Sequence, residues 1–151
     1  MLAEVRFYHL ERQPVEAALP RLLERVRERG LKAVVKLPDT ALLERIDRAL
    51  WTYDPDSFLP HGTAASPDPA REPIYLTSGD DCPNGARVLV LVEGASAPPD
   101  LAPYERCLYM FDGRDEAVLE RARAAWTRFR SLADSVSYWQ QKPQGGWEQK
   151  Q

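Results

Sequence analysis

The densest grouping of residue types that do acid–base or nucleophilic work is Asp54-Pro55-Asp56-Ser57-Phe58-Leu59-Pro60-His61. Carboxylates, a hydroxyl and an imidazole so close together form the inventory of a proton-transfer or hydrolytic site. One reading is therefore a small α/β enzyme using the Asp54/Asp56/His61 loop. The same residues also suit an ordinary turn, because Asp and Ser hydrogen-bond to their own backbone. The apolar content of the stretch points elsewhere again. Trp51, Tyr53, Phe58 and Leu59 stand in a proline-stiffened segment, and aromatic anchors on a rigid loop carry much of the energy of protein interfaces. Core packing explains Trp51 equally well, so both readings stay open on the residues alone.

A second candidate lies in the last fifth of the chain. Residues 121–151 carry Arg121, Arg123, Arg128, Arg130, Lys142 and Lys150 against Asp134 and Glu148, a local charge of +4 in a chain of −3. Trp126, Trp139 and Trp147 fall in the same stretch. On a helix, Val118, Ala122, Ala125 and Phe129 line up as a core-facing stripe. Trp126 then lies at the edge of the stripe, with Arg123 and Arg130 just beyond it. An apolar slot beside guanidinium groups suits a carboxylate carrying an apolar side chain. A solvated helix with basic residues near its C-terminal end is the plainer explanation. A nucleic-acid surface ranks third, since four net charges in an acidic chain give weak, salt-sensitive binding.

Other chemistry finds little support. Cys82 and Cys107 are far apart and form no Cys-x-x-Cys pattern, so a loop cysteine and a strand cysteine are expected. His9 and His61 belong to no metal-ligand motif, and neither a metal nor a cofactor is expected. No Gly-x-Gly-x-x-Gly, Walker-type or Gly-x-Ser-x-Gly motif occurs. Gly79 to Gly85 is the one glycine-flanked loop after a strand. Its two aspartates would repel a phosphate, and it reads as a plain hairpin loop.

The elements that must position these groups alternate. Val5–His9 and Leu31–Leu37 read as strands. Between them Val15, Leu19, Leu22, Leu23 and Val26 recur at helical spacing, Pro20 interrupts, and Gly30 supplies a stop. Leu42, Leu43, Ile46, Ala49 and Leu50 mark a second helix capped by Asp39 or Thr40. Such a β-α-β-α opening implies right-handed crossovers and parallel strands. From Trp51 to Pro73 five prolines after position 54 break all periodicity, which predicts a long structured loop. Pro73–Thr77, Arg87–Val92 and Arg106–Phe111 read as further strands, the last of them closing the sheet. Asp115–Leu132 reads as a helix. The expected fold is a single three-layer α/β domain over 1–134 with a mostly parallel central sheet, nucleotide-binding-like but without a phosphate-binding glycine loop. Residues 135–151 are expected to form an extended aromatic and basic tail packing on or beside it.

The 151 residues suffice for one self-supporting domain. The longest apolar run, Val88–Val92, is far short of the roughly 20 residues of a membrane helix, so no membrane association is expected. No secretory signal pattern opens the sequence, so a cytoplasmic location is the expectation.

Taken in order, these segments resemble the chi subunit family of bacterial DNA polymerase III holoenzyme. The resemblance rests on Phe7-Tyr8, Ala49-Leu50-Trp51, Ser57-Phe58-Leu59-Pro60-His61, the helix with Arg123, Trp126 and Arg130, and the aromatic residues Tyr138-Trp139 and Trp147. It implies a non-catalytic accessory subunit of the clamp-loader complex, linking the replicase to the acidic C-terminal tail of single-stranded-DNA-binding protein and touching DNA only indirectly. It also implies that Arg123, Trp126, Arg130 and Arg128 bind that tail, which ends in a phenylalanine carboxylate. Leu119 and Thr127 stand where some members carry lysine, leaving Arg128, Arg130 or Lys142 to supply charge. Trp51, Phe58, Leu59 and His61 are implied to meet the psi subunit or another clamp-loader component, with Phe58 and Leu59 partly exposed and Trp51 supporting them from beneath.

Overall fold

The computed structural model describes residues 2–151. Strand β1 (Leu2–Leu10) leads through helix α1 (Val15–Glu28) to β2 (Ala33–Lys36), then to α2 (Thr40–Thr52). A 3₁₀ turn at Pro69–Arg71 precedes β3 (Ile74–Thr77), β4 (Val88–Val92) and β5 (Arg106–Asp112). Helix α3 (Glu116–Phe129), β6 (Ala133–Gln141) and β7 (Trp147–Gln149) complete the order. The seven strands form one sheet, β3-β2-β4-β5-β1-β6-β7, parallel except where β7 turns back on β6.

The burial of the strands explains their composition. Every residue of β4 is buried, because a parallel sheet covered on both faces has no solvent side and needs no polar alternation. One face packs Leu19, Leu23 and Val26 of α1 and Leu42, Ile46 and Leu50 of α2 against Tyr8, Val35, Val90 and Met110. The opposite face packs Val118, Ala122 and Phe129 of α3 against Phe7, Leu89 and Tyr109. Three layers result, as the sequence pattern predicts. Pro20 is buried inside α1 without ending the helix. The Asp39 carboxylate caps α2 by accepting from the Leu42 N–H at 2.8 Å, and Asp115 caps α3 through the Ala117 and Val118 N–H groups.

Two expectations are corrected. The Gly79–Gly85 segment is not a hairpin loop: β3 and β4 flank β2 and run parallel to it, so the chain must return to the other end of the sheet. The Asn84 amide anchors that return by donating to the carbonyls of Ala33 and Glu72 at 3.2 and 2.9 Å. Arg106–Asp112 is not the last strand either. β6 pairs in parallel with β1 from Leu2↔Ala133 to His9↔Gln140, so residues beyond 134 extend the sheet by two strands. The β6–β7 turn is made by Gly145 and Gly146, both at positive φ, a conformation glycine adopts at least cost.

Candidate functional site

The Asp54–His61 loop does not assemble an acid–base site. His61 is buried, with Nδ1 2.8 Å from the Leu59 carbonyl and Nε2 2.9 Å from Asp47, so both ring nitrogens are occupied within the fold. Asp54 instead accepts from the Asp56 N–H at 2.9 Å and from Arg21 at 3.2 Å. The Asp56 N–H, with Arg21 beside it, holds this carboxyl below the ordinary aspartate range. Asp54 thus serves the turn, and the histidine is ring support.

What it supports is a pair of exposed aromatics. Trp51 is 54% and Phe58 71% exposed, the two large hydrophobic side chains so exposed among the described residues. Their ring centroids lie 6.0 Å apart, and Trp51 lies 4.3 Å from the His61 ring. Two parts of the expected interface are corrected. Leu59 is 3% exposed and belongs to the core under α1 and α2, because the proline-flanked loop turns this side chain inward while Phe58 points out. Trp51 stands beside Phe58 at the surface, and His61 is what lies beneath.

The second candidate is built on α3 and β6. A hollow of about 320 Å³ is lined by Arg123, Trp126, Thr127, Tyr138 and Gln151. Its floor is aromatic. Trp126 meets Phe7 edge-on at 5.4 Å and Tyr138 at 5.6 Å, while Tyr138 stacks parallel to Phe7. Geometry of this kind holds the rings at fixed angles. Arg123 stands at the rim, largely exposed, its one carboxylate contact being the neighbouring Glu120 at 3.4 Å. A contact at that distance between exposed partners is easily exchanged for another anion.

Arg123 also shapes the charge field beneath the rim. The Tyr138 hydroxyl lies 2.7 Å from Nδ1 of His9. Burial pushes the Tyr138 phenol up to about 12, and Arg123 opposes that shift. Burial likewise lowers the His9 pKa against the pull of Glu11 and Asp112, with Arg123 lowering it further. Glu11 stands 2.8 Å from the other ring nitrogen but outside hydrogen-bonding direction.

The structure does not bring all four expected tail-binding residues together. Arg123 and Trp126 share the hollow. Arg128 lies on another side of α3, lining a separate groove with Arg121, Gly94 and Tyr109, because five residues advance a helix by about 140°. Arg130 is the C-cap residue of α3, exposed and outside the lining of the hollow. Tyr138 and Gln151, outside the expected four, line the hollow as well. The alternation of β6, which turns Tyr138 toward α3 and Trp139 away, is the signal that points to the tyrosine; nothing local points to Gln151.

Cys107 is buried in β5 and Cys82 half-buried in the β3–β4 connection, as expected of a strand and a loop cysteine. No group of three or more His, Cys, Asp or Glu among the described residues is placed to hold a metal ion. At the carboxyl edge of the sheet the Lys36 ammonium is committed to Asp80 at 2.6 Å and the Ser96 carbonyl at 2.7 Å. No helix among the described residues is long and apolar enough to cross a membrane.

Comparison with known proteins gives a family. A family model described as "DNA polymerase III chi subunit, HolC" matches residues 2–135. A protein of Rickettsia prowazekii (strain Madrid E) named "Probable DNA polymerase III subunit chi" is 34% identical over 101 residues. That alignment covers 67% of this chain and 59% of the relative's length. This chain belongs to the DNA polymerase III chi subunit family.

Proposed function

We propose that the protein is an accessory subunit of the replicative polymerase assembly, joining it to the acidic C-terminal tail of single-stranded-DNA-binding protein. The observation that carries this reading is the hollow between α3 and β6, where an exposed arginine stands over a fixed aromatic floor. A peptide ending in phenylalanine fits that arrangement. Its terminal carboxylate pairs with Arg123, and its ring packs against Trp126 and Tyr138. Arg130 and Arg128, outside the hollow, draw in the upstream aspartates over distances at which salt screens strongly. Such a subunit performs no chemistry of its own, and the Asp54–His61 loop serves it as scaffold.

The Trp51–Phe58 pair favours a second contact in the same assembly. Two large rings held in solvent are the anchor of an interface awaiting its partner, a role filled by psi or another clamp-loader component. Titration calorimetry with an acidic peptide ending in phenylalanine tests the first contact. Binding is expected for the full peptide and almost none for one lacking the terminal residue. Equal binding of both peptides would place the site elsewhere.

A further inference from the structure

Helices α1 and α2 cover β2 to β5 and part of β1 on their side of the sheet, but among the described residues no helix lies over β6 and β7 there. A trough remains beside α1, walled by β1, β4 and β5 at one end and by β1, β6 and β7 at the other. It consists of a cavity of about 460 Å³ toward the N-terminal end of α1 and another of about 320 Å³ toward its C-terminal end. The two share Tyr8, Leu22 and Arg25, so they form one channel running beside a 14-residue helix of roughly 21 Å.

The lining of this channel is strongly basic, although the chain is acidic. Six arginines border it against two glutamates. Glu4 engages Arg6 at 3.0 Å and Arg106 at 3.6 Å, while Arg21 pairs with Glu24 and Asp54. Arg12, Arg25 and Arg29 have no carboxylate within 4.0 Å among the described residues. Three uncompensated guanidiniums along one groove define an anionic occupant with repeated charge.

The walls select the kind of anion. Trp147 borders the wider cavity, half-buried and edge-on to Tyr8 at 5.2 Å. Trp139 lies on the same sheet face outside the lining, its ring already covered by the Arg6 guanidinium at 5.5 Å. Gly145 and Gly146 complete the rim beside Trp147 without side chains to close it. The indole of Trp147 in the same cavity as the unpaired Arg12 and Arg25 matches a chain of bases and phosphates better than a chain of carboxylates, since every base offers a π-face. We propose that this trough binds single-stranded nucleic acid without sequence preference. It opens on the sheet face opposite α3, so a strand here and a peptide on α3 would not compete. The inference does not rest on the tail-binding reading.

Fluorescence anisotropy with the full chain and a labelled oligothymidylate of about a dozen nucleotides tests it. With three free arginines, the logarithmic salt slope of binding should be about −2. The double variant Arg12→Ala/Arg25→Ala should bind at least tenfold more weakly with a slope near −0.7. Arg71→Ala, which removes one charge from the distant 3₁₀ turn, should bind as the parent does. An abasic strand of equal length should bind at least tenfold more weakly than oligothymidylate. Circular dichroism confirms that the variants are folded. Absence of binding at low salt, or binding indifferent to the double variant, would overturn the proposal. So would an abasic strand or polyglutamate binding as well as oligothymidylate, which would make the trough an acidic-polymer groove.

Discussion

The Trp51–Phe58 patch and the Arg123–Trp126 hollow both place a tryptophan at the surface, and they use it in opposite ways. In the patch the rings themselves are free, and the buried His61, held by Asp47, stiffens the base. In the hollow the indole is already engaged with Phe7 and Tyr138, and the group exposed at the rim is a guanidinium held only by the neighbouring Glu120. A partner at the patch gains by covering apolar area, which is insensitive to salt and tolerant of direction. A partner at the hollow gains by a directed ion pair in a preformed aromatic seat, which is specific and salt-sensitive. The two proposed contacts thus differ in a way that ionic strength can separate.

The largest effect should come from within the patch's own loop and should not be a binding effect at all. Leu59→Ala, at a core position beside the exposed Phe58, should lower folding stability by about 3 kcal/mol in a denaturant titration. A small loss would mean that the loop is not packed as a unit with α1 and α2. Next is Arg123→Ala, expected to weaken the phenylalanine-ended peptide by about 2–3 kcal/mol in calorimetry, with stability unchanged. Arg130→Ala should cost less than about 1 kcal/mol and chiefly flatten the salt dependence. If the two arginines prove equal, the grip is diffuse electrostatics and not a seat.

Phe58→Ala should weaken association with the psi subunit or its equivalent by about 2 kcal/mol, to the same degree at low and high salt. A strong salt dependence would remove the contrast between the two regions. The smallest effect is a pH dependence confined to the floor of the hollow. His9 has its pKa lowered by burial, so the native state holds it neutral while the unfolded chain takes up a proton near pH 6.5. Its contribution to stability is complete above that pH and is lost as pH falls toward the lower native value. Thermal midpoints measured from about pH 7.5 to 5.5 should therefore fall more steeply for the parent than for His9→Gln. Parallel curves would assign the acid sensitivity to other groups.

Much of the fold was legible because its signals are local. The heptad-like spacing of Leu19, Leu22, Leu23 and Val26, the Asp39 cap and the unbroken Val88–Val92 run each specify an element without reference to distant residues. The β3–β4 connection was misread because a turn-rich segment looks the same whether it joins neighbours or crosses over a strand; only the pairing of both strands with β2 distinguishes them. β6 was missed as a strand because Ala133–Gln141 alternates polar and apolar residues near a border of the sheet, where one face lacks a helix, and so lacks the apolar run of the central strands. The site was half legible. Helical angles brought Arg123 and Trp126 together, while Tyr138 arrives from the following strand, β6, and Gln151 from beyond β7.

Sequence alone therefore determined the alternation of elements, the three-layer class, the basic character of the last helix and the family motifs. The alternation and the layer class follow from residue spacing within a turn or two of chain, where the backbone geometry is nearly invariant; the basic character follows from composition, and the family resemblance from the order of motifs along the chain. Tertiary structure decided which of two adjacent residues, Phe58 or Leu59, faces solvent, which arginines share a hollow, and where the sheet lies open beside α1. Those depend on strand order and on contacts between residues more than a hundred positions apart, such as His9 with Tyr138, and no local pattern encodes such pairings.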